Sequence, residues 1–146
     1  MKTHVLGFPR IGRHRELKRA LESHWRGEDD GSALAAAAAA IRQENWRAQS
    51  ESGLSFVATG DFSLYDQVLD TTAMLGLVPG RFGWAADTVD LATYFQMARG
   101  DSSRNLPAME MTKWFGTNYH YLVPELEPGL APKRASNKVE VETRQA

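Results

Sequence analysis

Short apolar runs closed by glycine or proline alternate with stretches whose apolar residues recur every three or four positions. This alternation limits the fold more than any other feature of the chain. Thr3–Phe8 runs into Pro9 and Gly12, Leu54–Thr59 into Gly60, and Asn118–Val123 into Pro124. Each run reads as a strand that ends in a turn. Helices are expected at about 14–25, 33–50, 62–75 and 89–99. In the first, Leu17, Leu21 and Trp25 form the buried stripe. The second, with Ser32 as its N-cap, carries six consecutive alanines and buries Ile41, Trp46 and Leu34. The third places Leu64, Val68 and Leu75 on one side, and the fourth Leu91, Phe95 and Ala98. Met109–Phe115 stays open between helix and strand, and the last dozen residues could begin a helix. Strands alternating with helices favour an α/β fold with a parallel sheet. The chain has 146 residues, and no linker divides it.

Composition excludes several classes. Cysteine is absent, so disulfides, thiolate nucleophiles and Cys-based metal centres cannot form within this chain. The four histidines are His4, His14, His24 and His120; no two have the helical spacing of a zinc pair. The net charge of −1 argues against a nucleic-acid binder. No apolar run is long enough to span a membrane, and no secretory leader is read at the start.

The charge is unevenly placed. Residues 1–26 carry seven cations and only Glu16 and Glu22 as anions. Arg10, Arg13, Arg15, Lys18 and Arg19 surround the start of the first helix, the end at which the helix dipole disfavours positive charge. An anion site explains this placement, and a tolerated basic surface explains it equally well. The Gly7–Gly12 loop has the spacing of a phosphate loop but lacks the Lys-Ser/Thr that holds phosphate and magnesium. Asp61 and Asp66 are read as helix-start caps before catalytic acids. Trp114, Phe115, Tyr119 and Tyr121 cluster near Lys113 and are read as core, with a ligand surface as the alternative.

Several blocks together resemble one family. HVLGFPRIG at 4–12, RELKRALES at 15–23, YDQVLDTTAMLG at 65–76, YFQMARG at 94–100 and EMTKWFGTNYHYLVPE at 110–125 follow the order and spacing of the cobalamin-independent methionine synthases. The resemblance implies a cytoplasmic methyltransferase that moves the methyl group of 5-methyltetrahydropteroyltri-L-glutamate to homocysteine in methionine biosynthesis. It implies a partial (β/α)8 TIM barrel with about the first three or four strands and an extra helix after the first βα unit. Residues 1–146 would be an incomplete N-terminal barrel domain, because a closed barrel takes roughly 250 residues.

The family's C-terminal barrel holds zinc and homocysteine, so no cofactor is expected in this chain, which would be inactive alone. Residues implied to bind the folate's polyglutamate tail are Arg15, Glu16, Leu17, Lys18, Lys113 and Asn118. A complementary barrel fragment is a further implied partner. A non-catalytic module for polyanions or folate polyglutamates, or an interaction protein, are the alternatives.

Overall fold

The computed structural model describes residues 1–146. It is an α/β chain of five α-helices and one two-stranded sheet, divided into two compact units: Met1–Leu64 with Val139–Ala146, and Tyr65–Lys138. No helix is long and apolar enough to cross a membrane.

The first unit is built on α1 (Glu16–Trp25) packed against α2 (Ser32–Glu51). Leu17 and Leu21 of α1 are buried, as are Leu34, Ala38, Ile41 and Trp46 of α2. The spacing of the α2 set, four then three residues, puts Leu34, Ala38 and Ile41 on one face. Trp25 is only half-buried, so the expected α1 stripe is shorter by one turn.

The N-cap of α2 corrects an expectation. Gly31, at φ 102°, is the cap, and Ser32 is already helical. The free N–H groups are satisfied by aspartates upstream: Asp29 accepts from Ala33 and Leu34 (3.0 and 3.1 Å), and Asp30 from Ser32 (2.9 Å). The left-handed backbone at Gly31 makes that reach possible, and only glycine adopts it without cost.

The expected strands 3–8 and 54–59 form no ladder. They meet at one point, where the Thr3 carbonyl accepts from Ser55 N (3.0 Å) and Phe56 N (3.2 Å). Leu6 and Phe56 stay exposed. A pair of strands is marginal without a further strand or a helix against its face, and no third strand joins these runs in this unit. Buried Gln49 ties residues 54–59 to α2, since its Oε1 accepts from Ala58 N (2.9 Å). The C-terminal helix α5 (Lys138–Gln145) lies partly in this unit. There Arg42 donates to Gln145 (3.2 Å) and Thr59 bonds Thr143 (2.9 Å).

In the second unit, α3 (Gln67–Met74) begins five residues later than the periodicity predicts. The reason is Asp66, whose Oδ1 accepts from Val68 N and Leu69 N (2.8 and 2.9 Å) and so starts the helix there. The buried face is consequently Leu69, Thr72 and Ala73, not Leu64, Val68 and Leu75. A single 3-10 turn at Gly80–Phe82 precedes α4 (Leu91–Arg99), which buries Tyr94, Phe95, Met97 and Ala98 and is capped by Asp90. The sheet pairs β1 (Met111–Lys113) with β2 (His120–Leu122), with Lys113 opposite His120. This ladder is antiparallel, whereas the alternation of elements favoured parallel pairing; a short connection of six residues permits only a hairpin.

Buried Leu122 packs β2 on α3, and its N–H donates to Asp66 Oδ2 (3.2 Å). One buried carboxylate thus starts a helix and anchors a strand. Asp70 accepts from Tyr94 Oη (2.6 Å) and pairs with Lys138 (3.2 Å). Arg81 grips Glu125 with both terminal nitrogens, the Nη2 contact at 2.7 Å, and this holds the Glu125 carboxyl below its ordinary range.

Candidate functional site

The implied tail-binding residues fall in both units. Arg15, Glu16, Leu17 and Lys18 belong to the first, and Lys113 and Asn118 to the second. Each group is described in its own unit.

At the start of α1, Arg15 is the N-cap residue, at φ 63° and ψ 37°. A non-glycine residue held in the left-handed region costs about 1–3 kcal/mol and persists only where its surroundings enforce it. Gly12 is also left-handed, and a Cβ there would meet the Glu16 carboxylate. Arg15 N donates back to Gly12 O (3.3 Å) and Leu17 N to Ile11 O (3.3 Å).

The Glu16 carboxylate turns into this loop and accepts from His14 N (3.0 Å). Its own backbone N–H first, then that of His14, lower its pKa. Glu16 is therefore the anion already seated at the helix start, the place an external anion would take. The family resemblance implies Glu16 as a tail-binding residue beside Arg15 and Lys18; here it is the one carboxylate among those cations.

The surrounding cations differ in how they are engaged. Arg10 donates to the Ser63 carbonyl (2.6 Å), Arg13 pairs with Glu44 (2.5 Å), and Lys18 pairs loosely with Glu22 one turn on (3.5 Å). No hydrogen bond or ion pair engages the Arg15 guanidinium, which is exposed. Leu17 is a core residue, 1% exposed, and it contributes position, not contact with solvent. Beside Lys18 lies an open cleft of about 200 Å³, walled by Ile11, Leu21, Trp25 and Leu64, with Arg10 and Lys18 at its edge. In the sequence Trp25 and Leu64 carry only a helix-packing signal, and no spacing rule marks them as cleft walls.

Of the two expected aspartate caps, Asp66 is one. Asp61 is not: it accepts from Phe8 N (2.7 Å) and so fastens the loop after residues 3–8.

In the second unit, Lys113 closes β1 and is exposed, as is Asn118 in the connection to β2. The connection is held by Trp114 N to Tyr119 O (2.7 Å) and by Thr117 Oγ1 to Trp114 O (2.6 Å). The aromatic residues beside Lys113 correct the core reading: Trp114 is 47% exposed, Phe115 83% and Tyr119 51%. Trp114 is flanked edge-on by Phe115 (5.3 Å, 89°) and Tyr121 (5.5 Å, 74°). Phe115 sits at φ 51°, a strained backbone for a bulky residue. A hairpin connection has no second layer above it, so these rings stay in solvent.

The donor chemistry does not suit zinc. Cysteine is absent, and no three His, Asp or Glu side chains converge in a metal-binding group. The zinc that the family resemblance implies therefore finds no ligand set here.

Each unit by itself thus presents exposed cations beside apolar surface, the first at a helix start and the second on a hairpin. The chain matches the model of the family described as "Cobalamin-independent synthase, N-terminal domain" over residues 2–146, and it belongs to that family. Among curated proteins it is 54% identical over 147 residues to the 5-methyltetrahydropteroyltriglutamate–homocysteine methyltransferase of Syntrophotalea carbinolica, a match covering all of this chain and 19% of that protein. It is 48% identical over 146 residues to the enzyme of the same name from Mesembryanthemum crystallinum, again covering 100% and 19%. A chloroplastic relative from Arabidopsis thaliana is 49% identical over 146 residues, covering 100% and 18%. The chain spans about a fifth of the length of these relatives.

Proposed function

We propose that this chain acts as the N-terminal segment of a cytoplasmic 5-methyltetrahydropteroyltriglutamate–homocysteine methyltransferase and helps to hold the triglutamate tail of the folate. The observation that carries this reading is Arg15. It is unpaired, exposed and strained, one turn from Lys18, in a chain whose relatives are named for a substrate with three linked glutamates. A row of carboxylates on a flexible tail is the partner that such cations suit. Lys113 and Asn118 supply a second cation and an amide on the hairpin. On this reading the alternating elements are the first part of a (β/α)8 barrel. Zinc and homocysteine then belong to another domain of the whole protein, and this chain alone transfers no methyl group.

Thermal unfolding followed by far-UV circular dichroism tests the tail site. Triglutamylated 5-methyltetrahydrofolate should raise the melting temperature more than the monoglutamate at equal concentration. Ligand at 100 times its Kd adds about 2.7 kcal/mol to the folded state. Lys18→Ala and Lys113→Ala should each shrink the shift. Equal shifts from the two folates, or a shift untouched by both substitutions, would reject the tail site. An equal shift from inorganic triphosphate would instead favour a general polyanion module.

A further inference from the structure

The hairpin presents more than a cation. Phe115 holds a strained left-handed backbone while leaving its ring 83% exposed, and Trp114 is flanked by two rings with half its surface open. The edge-on contacts hold the Trp114 ring in place, while most of the Phe115 ring and about half of the Trp114 ring gain nothing from burial. Exposed apolar surface of this kind marks a contact site. Its immediate neighbour in sequence is the exposed Lys113, at the end of an edge strand.

Lys113 is the last residue of β1 and Trp114 the first of the connection to β2. A ligand reaching both lies where the open edge of the strand gives way to the turn. It must be flat and π-rich at one end and anionic a short, flexible distance away. A pteroylglutamate has this form, because its p-aminobenzoyl ring is joined by one amide to the first glutamate.

We propose that Trp114 and Phe115 take the p-aminobenzoyl ring of the folate while Lys113 meets the carboxylate of the first glutamate. This rests on the tail-binding reading and extends it from charge to ring recognition. The hairpin then sets the register of the tail. The ring, which occurs once per folate, fixes which glutamate faces which cation, whereas cations alone would let the repeating carboxylates slide. Electrostatic attraction to Lys113 supplies complementarity, and stacking with the Trp114–Phe115 pair supplies position.

Calorimetric titration of the chain with two synthetic probes tests this: tri-γ-glutamate, and the same peptide carrying an N-terminal p-aminobenzoyl group. The ring-bearing probe should bind roughly three- to tenfold tighter, the range expected for one aromatic contact. Trp114→Ala should abolish that increment and leave the affinity for tri-γ-glutamate as it was. Phe115→Gly serves as the second variant, because glycine accepts φ 51° and the fold is kept while the ring is lost. Lys113→Ala should weaken both probes.

Equal affinity for the two probes, unaltered by Trp114→Ala, would overturn the ring contact and leave the tail site standing. No binding of either probe would overturn both. A concentration-dependent dimer in sedimentation that Trp114→Ala dissolves would show that the rings face a second copy of the chain, and would also overturn the proposal.

Discussion

Helices α1 and α3 begin in opposite ways. At α3 a buried aspartate, Asp66, receives two helix N–H groups on one oxygen and the Leu122 N–H on the other. The start of α1 has no side-chain cap from its N-cap residue, which is a strained arginine, and five cations gather around it. The first arrangement serves stability: both Asp66 carboxylate oxygens have partners, and the charge sign suits the helix dipole. The second gives up part of that stabilisation and leaves a guanidinium free in solvent. The difference between the two separates a residue that builds the fold from a residue available for a partner.

Asp66→Ala should have the largest effect. It removes the cap of α3 and strands the buried N–H of Leu122, so a loss of about 3 kcal/mol is expected. Urea unfolding measures it; a loss below about 1 kcal/mol would mean that Asp66 is no more than an ordinary surface cap.

Asp90→Ala tests a cap that carries no strand, since Asp90 accepts from Thr93 N (2.7 Å) and its carboxyl is held low first by that N–H and then by the Thr93 side chain. A loss of about 1 kcal/mol is expected in the same measurement.

Arg15→Gly should move the other way. Relief of the left-handed backbone stabilises the chain by about 0.5–1 kcal/mol, while binding of the triglutamate probe weakens. Stabilisation without any loss of binding would make Arg15 a strained residue with no part in the site.

The smallest effects are in acid. The Glu28 carboxyl is pulled down to about 2, first by its hydrogen bond from Arg26 and then by that from Ser23. A depressed carboxyl contributes above its unfolded pKa and is lost as pH falls through the folded one. The Glu28 contact should therefore persist at pH 4.5 and disappear toward pH 2. Carboxyl chemical shifts should show this midpoint in the native chain and a return toward 4.5 in Arg26→Ala. The same sign holds for Glu16: its grip on the loop before α1 should loosen in acid, visible as faster exchange of the His14 amide.

Much of the helical content was legible from spacing. Leu17, Leu21, Leu34, Ile41 and Trp46 announced the packed faces of α1 and α2, because a helix repeats every 3.6 residues and the apolar positions followed that period. The charge around Arg15 and Lys18 was legible too, as cations at the wrong end of a dipole. The strands were not. Thr3–Phe8 and Leu54–Thr59 have strand composition, but pairing depends on neighbours that local sequence does not name.

The sequence by itself determined the packed faces of α1 and α2, the family and the chemical character of the residues around Arg15 and Lys113, because periodicity, motif order and side-chain type are local properties. Only the tertiary structure decided that Glu16 fills the anion seat at α1, that Asp66 joins α3 to β2, and that Trp114 and Phe115 stand in solvent. Each of these depends on what lies across space from a residue. Burial and hydrogen-bond partners are set by the packing of distant segments, which no local pattern encodes.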